Sequence, residues 1–442
     1  MKSKSKVNLS LAALTFIFLN YNLLNNQVKA DTVQTENQSL YLPKPYATKS
    51  ATNFTKVLGW HNGRTPVAPS GFTVTKFADN FINPRNIYIA PNGDILVSEA
   101  NTELPPVLKL GADILGVNKA ERLDKSANRI TLLRDTNKDG IPDLRTTFLS
   151  GLNQPFGMLI IGNHFYVANT NSVWRYPYKT GETVISQSGE KILDLPNKGL
   201  NIHWTRNLIA SKDNSKIYVA IGSGSNVGES GMEIEVKRAN IIEINPDGSG
   251  EKIYASGIRN PVGLDWNPVT KTLWAAVNER DGLGDELVPD YLTSVKEDGF
   301  YGWPYSYYGN YLEPRIKPKD QRPDLVQMAI IPEVPLGSHT ASLGLAFYNN
   351  NIFPRAYHQG AFIGQHGSWN KSEVAGYKVV FVPFKDGKPS GKPEDFLTGF
   401  IADPKKNEVY GRPVDTIVMK DGSLLVSDDA SNTIWRVSRD KK

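Results

Sequence analysis

The feature that most constrains this chain is a phrase that returns six times along its 442 residues. Each copy has a turn with Pro, an apolar run, a short Asn/Asp/Gly turn, and a second apolar run that ends in small polar residues. The copies span residues 83–100, 153–170, 204–223, 259–279, 341–365 and 411–430. A recurring unit of this kind indicates an array of β-units that close around an axis and present loops there.

The apolar runs are short and alternate with a period of two, as in Ile87–Ile89 and Ile95–Val97, which Asn92-Gly93 separates. Such runs predict strands joined by tight turns. Further strands follow in each unit, so the sequence predicts an all-β fold, a six-bladed β-propeller with long loops on the active-site face. Insertions at 101–127, 224–238 and 280–340 supply these loops. A pair of β-sandwiches is the alternative, but it does not require a phrase repeated six times.

The start of the chain has the pattern of a cleaved secretory signal peptide. Residues 1–30 combine a basic beginning, an apolar stretch interrupted by Asn20 and Asn22, and small residues before position 31. A membrane anchor is the alternative, but a span needs about 20 apolar residues. We expect 31–70 to form an extended lead-in and 71–442 a single catalytic propeller domain. The protein is therefore predicted to be periplasmic or secreted, with no stable membrane span after cleavage.

Composition excludes several function classes. The chain has no cysteine, which rules out disulfides, thiolate metal sites and Cys nucleophiles. The net charge is +5, but Lys and Arg are scattered and no basic run carries interleaved aromatics, so no nucleic-acid partner is expected. The G-x-S-x-G, Walker and H-E-x-x-H motifs are also absent.

His203 is the candidate general base. It lies just before the third copy of the phrase, where a propeller presents residues at its mouth. Arg206 follows closely, and a nearby cation disfavours the imidazolium, so His203 would stay neutral and able to accept a proton. A hydrogen-bonded structural histidine is the alternative, and His339 and His366 occupy similar positions.

Arginines recur at matching places in the repeat. Arg85, Arg259 and Arg412 stand beside Pro at the start of their copies, and Arg206 is close to the same register. Side chains at such positions converge on the axis, and guanidinium forks suit carboxylates and phosphates, so the axis is predicted to bind a polyanion. In the alternative, each arginine pairs with an acidic residue of the blades. The candidates for this pairing are Glu99, Glu279, Asp415 and Asp428.

Two acidic stretches are candidate Ca²⁺ sites, because hard oxygen ligands suit this ion. The first has oxygen ligands at alternate positions and a glycine at the bend. Its ligands would be Asp135, Asn137, Asp139 and Asp143. The second runs from Glu279 to Glu286 in a Gly-rich loop at the mouth. An ordinary Asp/Asn-rich turn and a surface acidic loop are the respective alternatives.

The longer motifs resemble the soluble pyrroloquinoline quinone (PQQ)-dependent sugar dehydrogenases, the glucose/sorbosone dehydrogenase family, and look closest to its sorbosone-dehydrogenase-like branch. These motifs are His203-x-x-Arg206 followed by KIYVAIGSGSNVG, then SGIRNPVGLDWNP (256–268), NERDGLGDEL (278–287), DGFYGWP (298–304) and YGRPVD (410–415). The resemblance covers nearly all of residues 71–438.

The resemblance implies a flat tricarboxylate cofactor, PQQ, with a Ca²⁺ ion beside it that acts as a Lewis acid. It implies His203 as the general base. It also implies the PQQ-binding residues Arg206, Arg259, Asn260, Lys371, Arg412 and Gln154. Asp281 and Gly282 would hold the catalytic Ca²⁺, and Glu286 and Tyr301 a second, structural one. Ile202 stands where glucose-oxidising members have an acidic residue, so neither the group that orients the imidazole nor activity on glucose is implied.

We therefore expect a PQQ-dependent sugar or aldehyde dehydrogenase, a quinoprotein oxidoreductase. It would oxidise an aldose, a sorbosone-like aldehyde or a related polyol by hydride transfer and pass electrons to a quinone or cytochrome acceptor. A secreted non-catalytic propeller that binds a saccharide or a protein partner is one alternative. A Ca²⁺-dependent lactonase is another, but that chemistry needs a carboxylate-lined axial metal, whereas this axis is predicted to be cationic.

Overall fold

A computed structural model describes residues 31–34, 39–104, 109, 123, 126–199 and 201–440. The predicted signal peptide and most of the predicted insertion 101–127 lie outside these residues. Within the described ranges, no helix is both long enough and apolar enough to cross a membrane.

Among the described residues, six sheets each contain a set of four antiparallel neighbouring strands, and we number the sheets in chain order of their first strands. Sheets 1 to 3 comprise Pro84–Ile89, Ile95–Glu99, Arg129–Arg134 and Leu144–Leu149; Met158–Ile161, His164–Asn169, Ser172–Pro177 and Glu190–Asp194; and Arg206–Ala210, Ile217–Ile221, Asn240–Ile244 and Lys252–Ser256. Sheets 4 to 6 comprise Pro261–Trp266, Leu273–Val277, Pro289–Ser294 and Val334–Ser338; Ser342–Phe347, Ala361–Gln365, Lys378–Val382 and Glu394–Leu397; and Pro413–Val418, Leu424–Asp428, Thr433–Arg439 and Phe72–Ala78.

The six sheets form a closed ring. The first strands of neighbouring sheets contact each other in order, and the first strand of sheet 6 contacts that of sheet 1. The ring is completed where Phe72–Ala78, from the beginning of the propeller, pairs antiparallel with Thr433–Arg439 from its end. Each sheet begins within or directly after one copy of the repeated phrase, and the all-β prediction is confirmed.

Glycines allow the inner strands to approach closely. A Cβ at Gly263 would lie 2.5 Å from the carbonyl oxygen of Leu343, and one at Gly344 would lie 2.6 Å from the Cα of Asp415. No side chain fits at these two positions, which bring together the first strands of sheets 4, 5 and 6. Farther from the axis, apolar side chains fill the space between neighbouring sheets, as Trp274, Leu345 and Phe384 do between sheets 4 and 5.

The antiparallel order decides which loops can reach a site on the axis. First strands begin at the edge of the ring where second strands end and third strands start, and we call this edge the site face. The connections 222–239 and 278–288 lie on it. The connection 135–143 joins the third and fourth strands of sheet 1 and lies on the opposite face. The predicted insertion 280–340 contains two strands of sheet 4, so only part of it is a loop.

Smaller elements surround the ring. The described part of the lead-in crosses sheets 4 and 5, with Tyr46 N donating to Leu283 O (2.8 Å) and Asn53 N to Trp369 O (2.7 Å). The short strands are Asp31–Gln34, Ser39–Leu42, Lys56–Val57, Gly299–Phe300, Ser306–Tyr307, Tyr311–Leu312, Phe384–Lys385, Lys388–Pro389, Ile401–Asp403 and Glu408–Val409. The helical segments are the α-helix Pro323–Met328 and the 3₁₀ turns Met232–Ile234, Pro318–Asp320 and Arg355–Tyr357.

Candidate active site

An apolar layer forms the floor of a polar site on the axis. Every sheet contributes one buried residue to it, from its first strand or from a connection beside that strand, and the six residues form one cluster. They are Ala100, Phe156, Trp204, Val262, Leu343 and Val414. Polar residues precede several of them by one or two positions, among them His203, Asn260 and Arg412. Each first strand begins at the site face, so these polar residues lie nearer to that face than the apolar floor does. They face the opening of the ring at the site face, which we call the mouth.

His203 is held in one tautomer by the backbone of the neighbouring strand. Its Nδ1 lies 2.9 Å from the carbonyl oxygen of Ser223 and 3.1 Å from the Ser223 Oγ. A carbonyl only accepts, so Nδ1 carries the hydrogen and the lone pair is on Nε2. Nε2 has no hydrogen-bond partner among the described residues. Burial, and then the charge of Arg259, lower the pKa of His203 well below its ordinary value. The imidazole is therefore neutral at pH 7.

Arg259 carries a buried positive charge that no contacting carboxylate neutralises. Its guanidinium donates to the carbonyl oxygens of Glu279 (2.7 Å), Asn278 (3.2 Å) and Asn226 (3.2 Å), and to Asn226 Oδ1 (2.8 Å). Within the described part of the chain, no carboxylate comes within ion-pair distance of it. The adjacent Asn260 is also buried, and its Oδ1 has no hydrogen-bond partner in the described ranges. A charged donor and an amide oxygen with no protein partner among these residues therefore lie side by side at the mouth.

Arg206, predicted to bind the cofactor, instead holds the segment that carries His203. Its Nη1 donates to the carbonyl oxygens of His203 (2.6 Å) and Thr205 (2.9 Å). Its Nη2 donates to the carbonyl oxygen of Pro196 (2.9 Å). A second buried guanidinium, that of Arg238, donates to the carbonyl oxygen of Lys198 (3.2 Å). Burial and mutual repulsion lower the pKa of Arg206, so the two cations add to the positive potential of this wall.

Asp281 and His339 form an ion pair on the next wall. His339 Nδ1 lies 3.2 Å from Asp281 Oδ1, and His339 Nε2 lies 2.8 Å from the carbonyl oxygen of Gly284. Both nitrogens face acceptors, as in an imidazolium. Burial acts to lower the pKa of His339, but the hydrogen bond and charge of Asp281 outweigh it and raise that pKa. His339 is therefore a cation at the mouth whose charge is neutralised by Asp281.

The opposite wall, from sheets 5, 6 and 1, is an interlocked set of charges. His366 Nε2 lies 2.9 Å from Asp429 Oδ1, and Arg85 Nη1 donates to the other carboxylate oxygen. Arg412 Nε donates to the carbonyl oxygen of His366 (3.1 Å). Burial, and then Arg412, lower the pKa of His366 to about 4. His366 is therefore neutral. Its Nε2 is hydrogen-bonded to Asp429, so this nitrogen cannot take a proton from a substrate.

Within the residues that the structure describes, the contacts of Glu99, Glu279, Asp415 and Asp428 are not ion pairs with the axial arginines. Glu99 pairs with Arg129 (2.8 Å), and Glu279 pairs with Arg280 (2.9 Å). Asp415 accepts from the backbone N of Ile87 (2.9 Å). Asp428 meets the backbone N of Arg412 rather than its guanidinium (2.8 Å). The acid that does bind an axial arginine is Asp429, which contacts Arg85.

Three further predicted residues have other partners. Gln154 is buried and donates from Nε2 to the carbonyl oxygen of Asn101 (2.8 Å). Lys371 donates to the carbonyl oxygen of Asp285 (2.9 Å) and to Glu286 (3.1 Å). Tyr301 is buried, and its hydroxyl donates to the carbonyl oxygen of Ser294 (2.5 Å). Glu286 and Tyr301 thus have separate partners among the described residues, and their role as ligands of one ion stays a prediction.

The carbonyl of Asp281, predicted to hold a catalytic Ca²⁺, already accepts two hydrogen bonds. Arg315 Nη1 donates to it at 2.6 Å and Asn226 Nδ2 at 2.9 Å. A carbonyl has two lone pairs, and both are used. No group of three His, Asp or Glu side chains in the described residues is arranged to hold a metal. The residues present therefore do not fit a Ca²⁺ ion at Asp281 and Gly282.

The loop of Asp135, Asn137, Asp139 and Asp143 uses its carboxylates internally and lies on the face opposite the site. Asp135 accepts from the backbone N of Gly140 (2.7 Å), and Asp143 accepts from that of Thr136 (2.8 Å). These are the contacts of an Asx-rich turn. A cation bound here would be far from the axis.

Two cavities of the described surface lie away from the axis. One of about 380 Å³ lies between sheets 6 and 1. It is lined by Trp60, Lys76, Asp79, Asn80, Phe81, Ser431, Asn432 and Thr433. Its titratable lining groups, Lys76 and Asp79, pair with each other at 3.0 Å, whereas the Nε2 of His203 on the axis has no partner among the described residues. Chemistry rather than volume therefore places the candidate site.

Sequence reasoning missed four residues that shape the site: Ser223, Asn226, Arg315 and Asp429. Ser223 acts through its backbone, which no side-chain pattern reveals. Asn226 contacts both Arg259 and the Asp281 backbone, and only its place in GSGSN pointed toward the mouth. Asp429 directly follows Asp428 in the last copy of the phrase, so the signal was one position away from the predicted acid.

Known proteins of similar fold are dehydrogenases and carbohydrate-active enzymes. The holo PQQ domain of pyranose dehydrogenase from Coprinopsis cinerea superposes with a TM-score of 0.67 at 18% identity, over 87% of this chain and 100% of that one. A calcium structure of a Trichoderma reesei carbohydrate-active enzyme of family AA12 gives a TM-score of 0.69 at 17% identity, over 85% and 97% of the two chains. The fold is thus that of the PQQ-dependent propeller dehydrogenases.

The family follows from sequence. The TrAA12-like family model matches residues 66–297 and 315–440. The chain therefore belongs to the TrAA12-like family, that is, to the AA12 family of PQQ-dependent oxidoreductases. An uncharacterized protein of Borreliella burgdorferi is 32% identical over 315 residues, which are 67% of this chain and 78% of that protein.

Proposed function

We propose that this protein oxidises a hydroxyl group of a sugar or of a hydrated sugar aldehyde, with PQQ bound at the site face and His203 as general base. The observation that carries the proposal is the state of His203. It is neutral, its tautomer is set by the Ser223 carbonyl, and its Nε2 has no partner in the described structure. Membership of the TrAA12-like family and the folds of its neighbours support the cofactor class.

The charges of the mouth fit a polycarboxylate. The guanidiniums of Arg206, Arg238 and Arg259 are buried and have no contacting carboxylate among the described residues. Buried guanidiniums without counter-ions are unfavourable unless an anion completes the site. Arg259, Asn260 and Arg412 face the mouth and would hold the carboxylates of PQQ. Arg206 and Arg238 would act at longer range, because their hydrogen bonds go to the backbone around His203.

PQQ, when bound, supplies a two-electron acceptor for the hydride of the substrate carbon. His203 Nε2 takes the proton of the reacting hydroxyl, so the C–O bond gains double-bond character as the C–H bond breaks. The Ser223 carbonyl stabilises the resulting imidazolium through Nδ1–H. The apolar floor under His203 excludes water from one side of the reacting group. A separate electron acceptor must then reoxidise the cofactor.

The test is reconstitution of the purified protein with PQQ. We expect a saturable change in the quinone absorbance and reduction of an artificial electron acceptor by members of a panel of aldoses, sugar aldehydes and polyols. Lactone hydrolysis is measured in parallel. Absence of PQQ binding, or binding without dye reduction by any compound of the panel, would contradict the proposal. Hydrolysis of lactones without PQQ would replace it.

A further inference from the structure

We infer that Arg315 is a positioning residue whose guanidinium serves as a built-in cation at the Asp281 carbonyl, where relatives of this fold would be expected to bind a metal ion. Arg315 Nη1 lies 2.6 Å from that oxygen. Glu313 fixes the other side of the fork, with Oε1 2.6 Å from Nε and Oε2 2.9 Å from Nη2. A bidentate pair of this kind sets the direction of the third donor.

The loop is shaped to admit the guanidinium. Gly282 adopts a φ of +90°, and a Cβ there would lie 3.0 Å from Arg315 Nη1. The left-handed φ and the close approach of the arginine both favour glycine at this position. Asn226 Nδ2 takes the remaining lone pair of the Asp281 carbonyl at 2.9 Å. A free cation could bind this oxygen only by displacing one of the two donors.

The charge of Arg315 is balanced within the protein. Glu279, Arg280, Glu313 and Arg315 alternate in sign, with contacts of 2.9, 3.4 and 2.6 Å between successive partners. The side chains of Glu313 and Arg280 are fully buried, and that of Arg315 is 11% exposed. Burial acts to lower the pKa of Arg315, but Glu313 outweighs it and raises that pKa. The cation is thus permanent, whatever the calcium concentration.

One residue, Asn226, links the contact between Arg315 and Asp281 to Arg259, which would hold the cofactor. Asn226 Oδ1 accepts from the Asp281 backbone N (3.0 Å) and from Arg259 Nη2 (2.8 Å). Fixing the Asp281 loop therefore fixes Arg259, the residue that lowers the pKa of His203. This consequence rests on the proposed function, whereas the cation contact itself does not.

The experiment compares the full-length protein with Arg315→Ala and Arg315→Lys, and with Arg322→Ala as a matched control. Arg322 is exposed and pairs with the exposed Asp324. All four proteins also carry Asp139→Ala. This change removes a candidate ligand from the acidic loop on the opposite face, so that the loop does not compete for added cations. Unfolding temperature is measured with EDTA, with millimolar CaCl₂ and with millimolar guanidinium chloride. PQQ affinity is measured by absorbance titration under the same conditions.

We expect the parent and the Arg322→Ala control to be insensitive to EDTA and CaCl₂ in both measurements, within about twofold in affinity. Arg315→Ala should lower PQQ affinity by about tenfold or more, as loss of a charge-assisted hydrogen bond predicts. Added guanidinium should restore the PQQ affinity of Arg315→Ala and raise its unfolding temperature. Arg315→Lys should keep part of the parent's PQQ affinity.

Loss of stability or of PQQ affinity of the parent in EDTA, with recovery in CaCl₂, would overturn the inference without any variant. Normal PQQ affinity in Arg315→Ala would overturn the positioning role. If the parent binds no PQQ at all, the proposed function fails, and the unfolding temperatures still decide whether Arg315 or a metal holds the loop.

Discussion

His203 and His339 face the same mouth from neighbouring sheets but carry different charges. Burial lowers the pKa of His203, and the charge of Arg259 adds to that effect; together they outweigh the hydrogen bond to the Ser223 carbonyl, which alone would raise the pKa. His339 contacts the carboxylate of Asp281, so its pKa rises. Asp281 also acts on His203, but from a distance, and there burial and Arg259 outweigh it. Burial acts in the same direction on both histidines, so the neighbouring charge, Arg259 for one and Asp281 for the other, decides which histidine can be a base.

The largest expected effect is that of His203→Ala. Loss of a positioned general base should lower kcat by about 10²- to 10⁴-fold, because proton removal then falls to water. PQQ affinity should stay within about threefold, because the residues that would hold the cofactor remain. Dye reduction and absorbance titration measure the two quantities.

The control for this variant is His164→Ala, since His164 begins the second strand of sheet 2 on the opposite face. It should leave kcat unchanged. Loss of PQQ binding in His203→Ala would make His203 a structural histidine and remove the contrast with His339.

A second expected effect is that of Arg259→Ala on cofactor affinity. Removing a charge-assisted donor should weaken PQQ binding by about 10- to 100-fold. The same change should raise the pKa of His203, because the cation that lowers it is gone. The acid limb of the kcat/KM profile should then move to higher pH.

Arg259→Lys keeps the charge and loses the fork, so it separates the two roles of Arg259. We expect weaker PQQ binding with little movement of the acid limb. An Arg259→Ala protein with unchanged cofactor affinity would show that the anion lies elsewhere on the axis.

Asp281→Asn tests the other histidine through stability. The pKa of His339 is raised above its ordinary 6.5, so its stabilising contribution is complete below that pH and is lost as pH rises through the raised value. The substitution removes the partner, and we expect a cost of about 1–3 kcal/mol at low pH. The cost should be smaller at alkaline pH.

Urea unfolding of both proteins across pH measures this difference, with the exposed Asp298→Asn as the control. A cost for Asp281→Asn that does not depend on pH would show that His339 is neutral in the folded protein.

The smallest effect concerns the acid limb of the parent protein. The folded pKa of His203 lies well below 6.5, so the base form persists as pH falls through that value. We expect kcat/KM to be nearly constant from pH 7.5 to pH 6.5 and to fall only at lower pH. Asp281→Asn should move the fall slightly lower still, because the charge of Asp281 favours the imidazolium. An acid limb centred near the ordinary pKa of histidine would contradict the desolvated state of His203.

The repeated phrase made the ring of sheets predictable, because strand alternation and turn residues are local signals. The positions of His203, Arg259 and Asn260 at the starts of first strands were predictable for the same reason. Their partners were not. Arg85 meets Asp429, which lies 344 residues away, rather than any of the four acids proposed for this role.

Calcium shows the limit most clearly. The acidic and Gly-rich motif at 279–286 has the residues of a cation loop, and the sequence alone offered no reason to prefer an arginine over an ion. Along the chain, the elements between Asp281 and Arg315 include the third strand of sheet 4 and the short strand Gly299–Phe300, which pairs with the fourth strand of sheet 3. Only folding brings the two within 2.6 Å.

The sequence by itself determined the architecture and the chemical inventory: strands that close a ring, one face where histidines and arginines gather, and no thiol chemistry. The tertiary structure decided the charge state and role of each member of that inventory. Backbone periodicity acts between neighbours in sequence, whereas a pKa and a hydrogen-bond partner depend on burial and on atoms from distant strands. His203 became the candidate base because a carbonyl from the next strand and a guanidinium from the next sheet surround it.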